Sequence, residues 1–241
     1  MTNRSAISAL NQVGYALLQP AEVAQAVGLP LARLEPLRMS WNDLPKDGYL
    51  RDGGTYRSRR HSCFVQELSD GLIETPHRAH WQSMDYNALH GGIERWFEPI
   101  ADPVRTSVEF QQLLASFGYV FASLRATPRW YIEAHQFRID TAAGIGRPTP
   151  EGAHRDGVDF VVVILIERRD VRGGETRVFQ THGNAGVRFT MTEPWSALLL
   201  DDANVIHETT PIQPERTPGV RDTLVLTYRA EGFQEPAALR A

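Results

Sequence analysis

The stretch Ala153-His154-Arg155-Asp156-Gly157-Val158-Asp159, followed by the apolar run Phe160 to Ile166, sets an imidazole and a carboxylate two residues apart. Side chains two apart on an extended strand point to one face, so His154 and Asp156 can aim at a common point while the apolar run anchors them in a sheet. A catalytic metal needs a third ligand, and His207, within Asn204-Val205-Ile206-His207-Glu208-Thr209, is the candidate. Two histidines and a carboxylate on one face of an octahedron, with the other positions open, suit non-haem Fe(II) and oxygen chemistry.

Such a site, if it uses a 2-oxo acid, also needs a cation for that acid's distal carboxylate. Arg221 offers a planar fork, and Thr223 adds a hydroxyl on the same strand face. The competing role for Arg221 is a structural ion pair with Asp201, Asp202 or Asp222.

For the substrate, Gln136 and Arg138 share one strand face, opposite His135, Phe137 and Ile139, and the expectation is that the polar pair faces the site. The alternative for them is an outward, ion-paired role. Arg138 or Arg59 would then receive a substrate carboxylate, because arginine grips carboxylates with two bonds. Against this, Arg57, Arg59 and Arg60 together read first as the solvated, charge-blunted edge of a sheet. His61, His77, His80, His90 and His182 read as surface or satisfied core residues without a strand partner at ligand spacing, and strand parity argues against a metal role for His135. Glu175, after Gly173-Gly174, reads as a turn residue.

The elements that must carry these residues are mostly strands. Beyond Trp130 the apolar period is two, in Trp130–Ile139, 158–166, Thr176–Gln180, Val187–Met191, Ser196–Leu200, 205–209 and Thr223–Tyr228, separated by Gly, Pro, Asp and Asn turns. That pattern predicts a sandwich or jelly roll. Before it, residues 4–35 carry helical signals, including Pro20 at a helix start and Gly28 at its end, around a short strand at 14–18. Trp41–Gly54 reads as a loop, while Ile93–Phe97 and Ser107–Phe117 have apolar spacings of three and four that predict helix. The expected organisation is one domain over 1–241, with scaffold and lid segments in 1–128 and the main β core in 129–233.

A chain of 241 residues can bury a sizeable core. Its net charge of −4 gives no electrostatic reason to expect nucleic acid or an acidic membrane surface. One cysteine, Cys63, excludes an internal disulfide and fits a reducing cytoplasm; no apolar run reaches a membrane-spanning length.

With these residues in place, the chain from about 40 to 230 resembles the bacterial 2OG-Fe dioxygenase family, which includes hydroxylases of free L-amino acids such as isoleucine dioxygenase. The resemblance is carried by Gln82-Ser83-Met84-Asp85-Tyr86-Asn87 with Gly91-Gly92, His135-Gln136-Phe137-Arg138, His154-Arg155-Asp156, Gly173-Gly174-Glu175, Val205-Ile206-His207 and Arg221-Asp222-Thr223. It implies a mainly β double-stranded β-helix with flanking helices, Fe(II) on His154, Asp156 and His207, and 2-oxoglutarate on Arg221. It also implies O2 as cosubstrate and hydroxylation of a small molecule with release of succinate and CO2. A carboxylate at position 156 argues against halogenation. Two other readings share the ligand set: a hydrolytic or lyase metal site, which leaves Arg221 and Thr223 without a purpose, and a jelly-roll binding or sensor protein without turnover.

Overall fold

The apolar run Phe160–Ile166 lacks a polar face because both of its faces are covered. Phe160, Val162, Ile164 and Ile166 pack under a helical layer, and Val161 and Leu165 pack into the space between two sheets. A strand buried on both sides has no alternation to show.

The computed structural model describes residues 2–236 apart from 184 and 217. Its helices are α1 (Thr2–Val13), α2 (Pro20–Val27), α3 (Leu31–Leu34), α4 (Asp102–Arg105) and α5 (Val108–Ala122), with a 3-10 helix over Glu35–Asp43. Its strands are β1 (Tyr15–Leu18), β2 (Arg57–Glu67), β3 (Gly71–Glu74), β4 (Arg129–Asp140), β5 (Phe160–Arg169), β6 (Val171–Gly173), β7 (Thr176–Gln180), β8 (Gly186–Phe189), β9 (Ala197–Asp201), β10 (Val205–Thr209), β11 (Ile212–Pro214) and β12 (Val220–Arg229). The larger sheet runs β1-β9-β5-β12-β4-β2-β3; β10-β7-β8 and β11-β6 form the smaller sheets. Every pairing is antiparallel. The result is mainly β, in keeping with the sandwich or jelly roll predicted from the turn-separated strands and with the double-stranded β-helix that the resemblance implies.

The helices cover one face of the larger sheet. Helix α2 begins on Pro20 and ends on Gly28, whose φ of 72° suits glycine. Ser107 caps α5, accepting the Phe110 N–H, and α5 lays Phe117 and Phe121 on the sheet. Phe121 stacks on Phe160 with centroids 4.4 Å apart and meets Tyr228 edge-on at 5.0 Å. The 3-10 helix is fastened by Trp41, whose indole N–H donates to the carbonyls of Phe137 and Thr223 and so bridges β4 and β12.

Two expectations change here. Trp41–Gly54 is not wholly a loop, since the 3-10 helix reaches Asp43. Ile93–Phe97 is not helical: Arg95 pairs with His80 through two backbone hydrogen bonds in an isolated antiparallel bridge. Its apolar spacing reflects an extended segment with Arg95 and Phe97 buried and Trp96 exposed.

Phe121→Ala removes an aromatic ring shared by helix and sheet. We expect a loss of about 3–5 kcal/mol in stability, read as a lower urea midpoint at unchanged slope.

Candidate active site

The uncovered face of the larger sheet and the facing strand β10 enclose a cavity of about 130 Å3. One water needs about 10–15 Å3 of such space, so the cavity holds a small molecule. Alternation decides which residues line it: Glu133, His135, Phe137 and Ile139 from β4, and Arg221, Thr223, Val225 and Thr227 from β12.

His154, Asp156 and His207 meet at this cavity, with ligand-capable atoms all within 4.8 Å of one another. The Nε2 atoms of His154 and His207 each lie 3.7 Å from an Asp156 carboxylate oxygen. His154 and Asp156 do not ride on a strand, as their spacing suggests; they sit in the loop before β5. Two features fix that loop. His154 and His207 exchange backbone hydrogen bonds of 3.0 and 2.9 Å, which brings these sequence-distant histidines side by side. The buried Asp202 carboxylate accepts the N–H groups of Asp156, Gly157 and Val158. Gly157 has a φ of 75°, and a Cβ there would lie 2.4 Å from the Tyr86 ring.

The donor chemistry fits a divalent cation. The His154 Nδ1–H donates to the Gly152 carbonyl at 2.9 Å, which leaves Nε2 as the nitrogen that a metal would take on displacing its proton. Gln82 approaches Asp156 Oδ1 with its amide N–H at 3.4 Å and is itself held by Arg95 and Asn87. Burial opposes charge on His154, yet Asp156 and Glu151 pull its imidazole up to about 10. Burial and the His154 charge push His207 down to about 4. His207 is thus held neutral, while a bound cation would take the place of the His154 proton that faces the Asp156 carboxylate.

Arg221 and Thr223 line the same cavity. None of Asp201, Asp202 and Asp222 forms an ion pair with Arg221: Asp222 is held by Arg138, and Asp202 by the loop amides. Arg221 is 3% exposed, and its Nε and one Nη have no hydrogen-bond partner among the described residues. Burial lowers this guanidinium to about 10, so it stays charged. A buried, charged group with orphaned donors calls for an anion such as a carboxylate.

The expectation for Gln136 and Arg138 is corrected by strand parity. They occupy the β4 face turned toward the helices, where Gln136 donates to Ser40 and Arg138 forms a two-bond pair with Asp222 and reaches Asn42. Polar residues of the 3-10 helix match them, so their polarity is no pointer to the cavity. Arg57 and Arg59 are likewise no solvated edge. This part of β2 is flanked by β4 on one side and by the 45–47 and Glu98 backbone on the other, and both arginines are buried in the cavity wall; Arg60 points outward to Glu98.

His61, His80 and His135 escaped the sequence reading as a group. They converge on Glu133. The signal was the register, which sets His61 directly across from His135 and Cys63 across from Glu133, and register is not written in either strand alone. Glu175 pairs with Arg177 in the turn into β7, as a turn residue should.

Facing antiparallel sheets thus surround a His/Asp/His group and a buried arginine, the arrangement of a double-stranded β-helix with a candidate metal centre. Residues 38–227 match the family model described as 2OG-Fe dioxygenase, and the chain belongs to that family. A crystal structure of a bsmA homolog from Methylobium petroleophilum PM1 is 53% identical over 98% of this chain and 96% of that one, with a TM-score of 0.94. IDO from Bacillus thuringiensis is 18% identical over 97% and 100% of the two chains, at a TM-score of 0.78. The Fe(II)/(alpha)ketoglutarate-dependent dioxygenase TqaL is also 18% identical, over 95% and 89%, at 0.70. The last two show the shared fold alone. No curated protein matches the chain. The protein is thus an oxygenase that uses Fe(II), 2-oxoglutarate and O2. Among the described residues, no helix is long and apolar enough to cross a membrane.

Asp202→Asn keeps the side chain's shape but weakens its hold on three loop amides. We expect affinity for Fe(II), or Mn(II) as a stable surrogate, to fall about 10- to 100-fold in an anaerobic titration, with far-ultraviolet circular dichroism unchanged.

Proposed function

We propose that this oxygenase hydroxylates a free L-amino acid, with His154, Asp156 and His207 holding Fe(II) and Arg221 and Thr223 holding the distal carboxylate of 2-oxoglutarate. The observation that carries the cosubstrate assignment is the buried Arg221, whose orphaned donors share one cavity with the triad. Bound iron supplies the activation of O2 at the expense of 2-oxoglutarate, giving succinate, CO2 and one oxygen atom for a substrate C–H.

The chain's own residues prepare that chemistry. Gly152 orients His154, Gln82 and the Asp202-held loop orient Asp156, and Val163 and Val225 give the cavity an apolar flank. Arg59, buried in the cavity wall, is the assigned partner of the substrate carboxylate; its cation lies 3.8 Å from the Phe97 ring centroid and 4.4 Å from that of Phe137, which hold the fork in place. The amino-acid class is supported by this arginine, by the cavity's size and by the resemblance to free amino acid hydroxylases.

Two experiments test the reading. Arg221→Ala should raise the concentration of 2-oxoglutarate needed for half-saturation about 10- to 100-fold, as expected for losing a charged hydrogen-bonding partner; an unchanged value would remove Arg221 from the cosubstrate site. The protein with Fe(II), 2-oxoglutarate and O2 should release succinate when given pooled L-amino acids, with one of them gaining 16 mass units. Succinate without an oxygenated amino acid would move the substrate to another class.

A further inference from the structure

His80, Glu133 and His135 in the cavity wall form, with His61 behind them, a second buried group whose ligand-capable atoms also lie within 4.8 Å of one another. Two chemistries compete for it. A metal would require each imidazole to present an unprotonated nitrogen. His135 cannot do so while Arg59 stands where it does. Arginine only donates, and Arg59 Nη2 lies 2.8 Å from His135 Nδ1, so Nδ1 is the acceptor and the ring proton belongs on Nε2. That Nε2 lies 3.5 Å from Glu133 Oε2, and the same oxygen faces His61 Nε2 at 3.0 Å and His80 Nδ1 at 2.5 Å. The group is therefore three imidazole N–H donors closing on one carboxylate oxygen.

This arrangement keeps an anion in a buried place. Burial alone would raise the Glu133 carboxyl, but the closeness of His80 and the N–H donors of His135, His61 and His80 outweigh it and hold the group well below the ordinary range. All three contacts end on Oε2, which leaves Oε1 for the cavity that Glu133 lines. The same cavity is lined by Arg57, Arg59 and Arg95, with Arg57 paired to Asp47 at 2.7 Å. Arg57 Nη2, Arg59 Nε and Arg95 Nε have no partner among the described residues. Orphaned donors call for a carboxylate, and a held carboxylate calls for a cation. Arg57 already has Asp47 as its partner, whereas Arg59 and Arg95 keep unmatched donors in the same cavity as the Glu133 carboxylate, so a ligand that carries both signs matches both.

We propose that Glu133 is the ammonium subsite of the substrate, with Arg59 and Arg95 taking its carboxylate, so that the enzyme selects a zwitterionic amino acid over the matching 2-hydroxy acid. This rests on the amino-acid reading above. The register keeps the subsite clear of the cosubstrate: Glu133 pairs with Thr227 and Ile139 with Arg221, six residues apart along the strand, or about 20 Å. Glu151 is the rival acceptor, but its Oε1 lies 3.6 Å from His154 Nε2, on the metal side of the cavity.

The test titrates the anaerobic Fe(II)–2-oxoglutarate complexes of wild type, Glu133→Gln and Glu151→Gln with each L-amino acid and its 2-hydroxy analogue. The visible absorption of the complex is the readout and also reports that each variant is folded. Wild type should bind one amino acid at least about 100-fold more tightly than its hydroxy analogue, Glu133→Gln should lose most of that preference, and Glu151→Gln should keep it. A preference that survives in Glu133→Gln, or vanishes in Glu151→Gln, overturns the subsite and leaves the amino-acid reading standing. A wild type that binds no amino acid, or binds both analogues alike, overturns both. Should Glu133→Gln form no complex, Glu133→Asp is read instead: a marked loss of preference supports the subsite, and a wild-type preference overturns it.

Discussion

Everything in this molecule hangs on a sheet with a helical layer on one face and the cavity on the other. In β4 and β12 every other residue is claimed by the helical layer, as Trp130, Ile132, Leu224, Leu226 and Tyr228 are, and the residues between them line the cavity. A slip of one residue in either strand would exchange Arg221 for Asp222 and Glu133 for Ala134 in the cavity wall. The aromatic packing of α5 and the indole of Trp41, bonded to both strands, oppose that slip, so the helices specify the site without touching substrate.

The cavity so formed is costly to bury. Arg57, Arg59, Arg95 and Arg221 line it with Glu133, Glu151 and Asp156, and several of their donors go unmatched within the described residues. Unpaired buried charge is destabilising, which is tolerable where ligands complete the pairing. The groups that are fully satisfied are the ones that position others: Asp202 on the loop amides, Asp222 on Arg138, Asp47 on Arg57. Positioning is done by closed networks and recognition by open ones.

What could be read from the chain followed the range of each signal. His154 with Asp156, and Arg221 with Thr223, are pairs two residues apart, and the cavity contains all four together with His207. The β-rich class was legible from periodicity and turns. Strand parity in β4 was not: Gln136 and Arg138 look like site residues, but Ser40, Asn42 and Asp222 supply partners on the helix side, and no local pattern announces that. The arginines of β2 resembled an exposed edge because the segments covering them, near Lys46 and Glu98, are irregular and carry no strand signal of their own. His80 and Glu133 required tertiary knowledge outright, since their contact joins a bridge residue to a strand interior.

The most direct measurement is anomalous X-ray scattering from crystals grown anaerobically with Mn(II), an Fe(II) surrogate, and 2-oxoglutarate. The account predicts one metal peak, bounded by His154, Asp156 and His207, with the 2-oxoglutarate distal carboxylate on Arg221 and no peak among His61, His80, Glu133 and His135. A peak in the second group, or a cosubstrate carboxylate seated on Arg59 or Arg95 in place of Arg221, would contradict it.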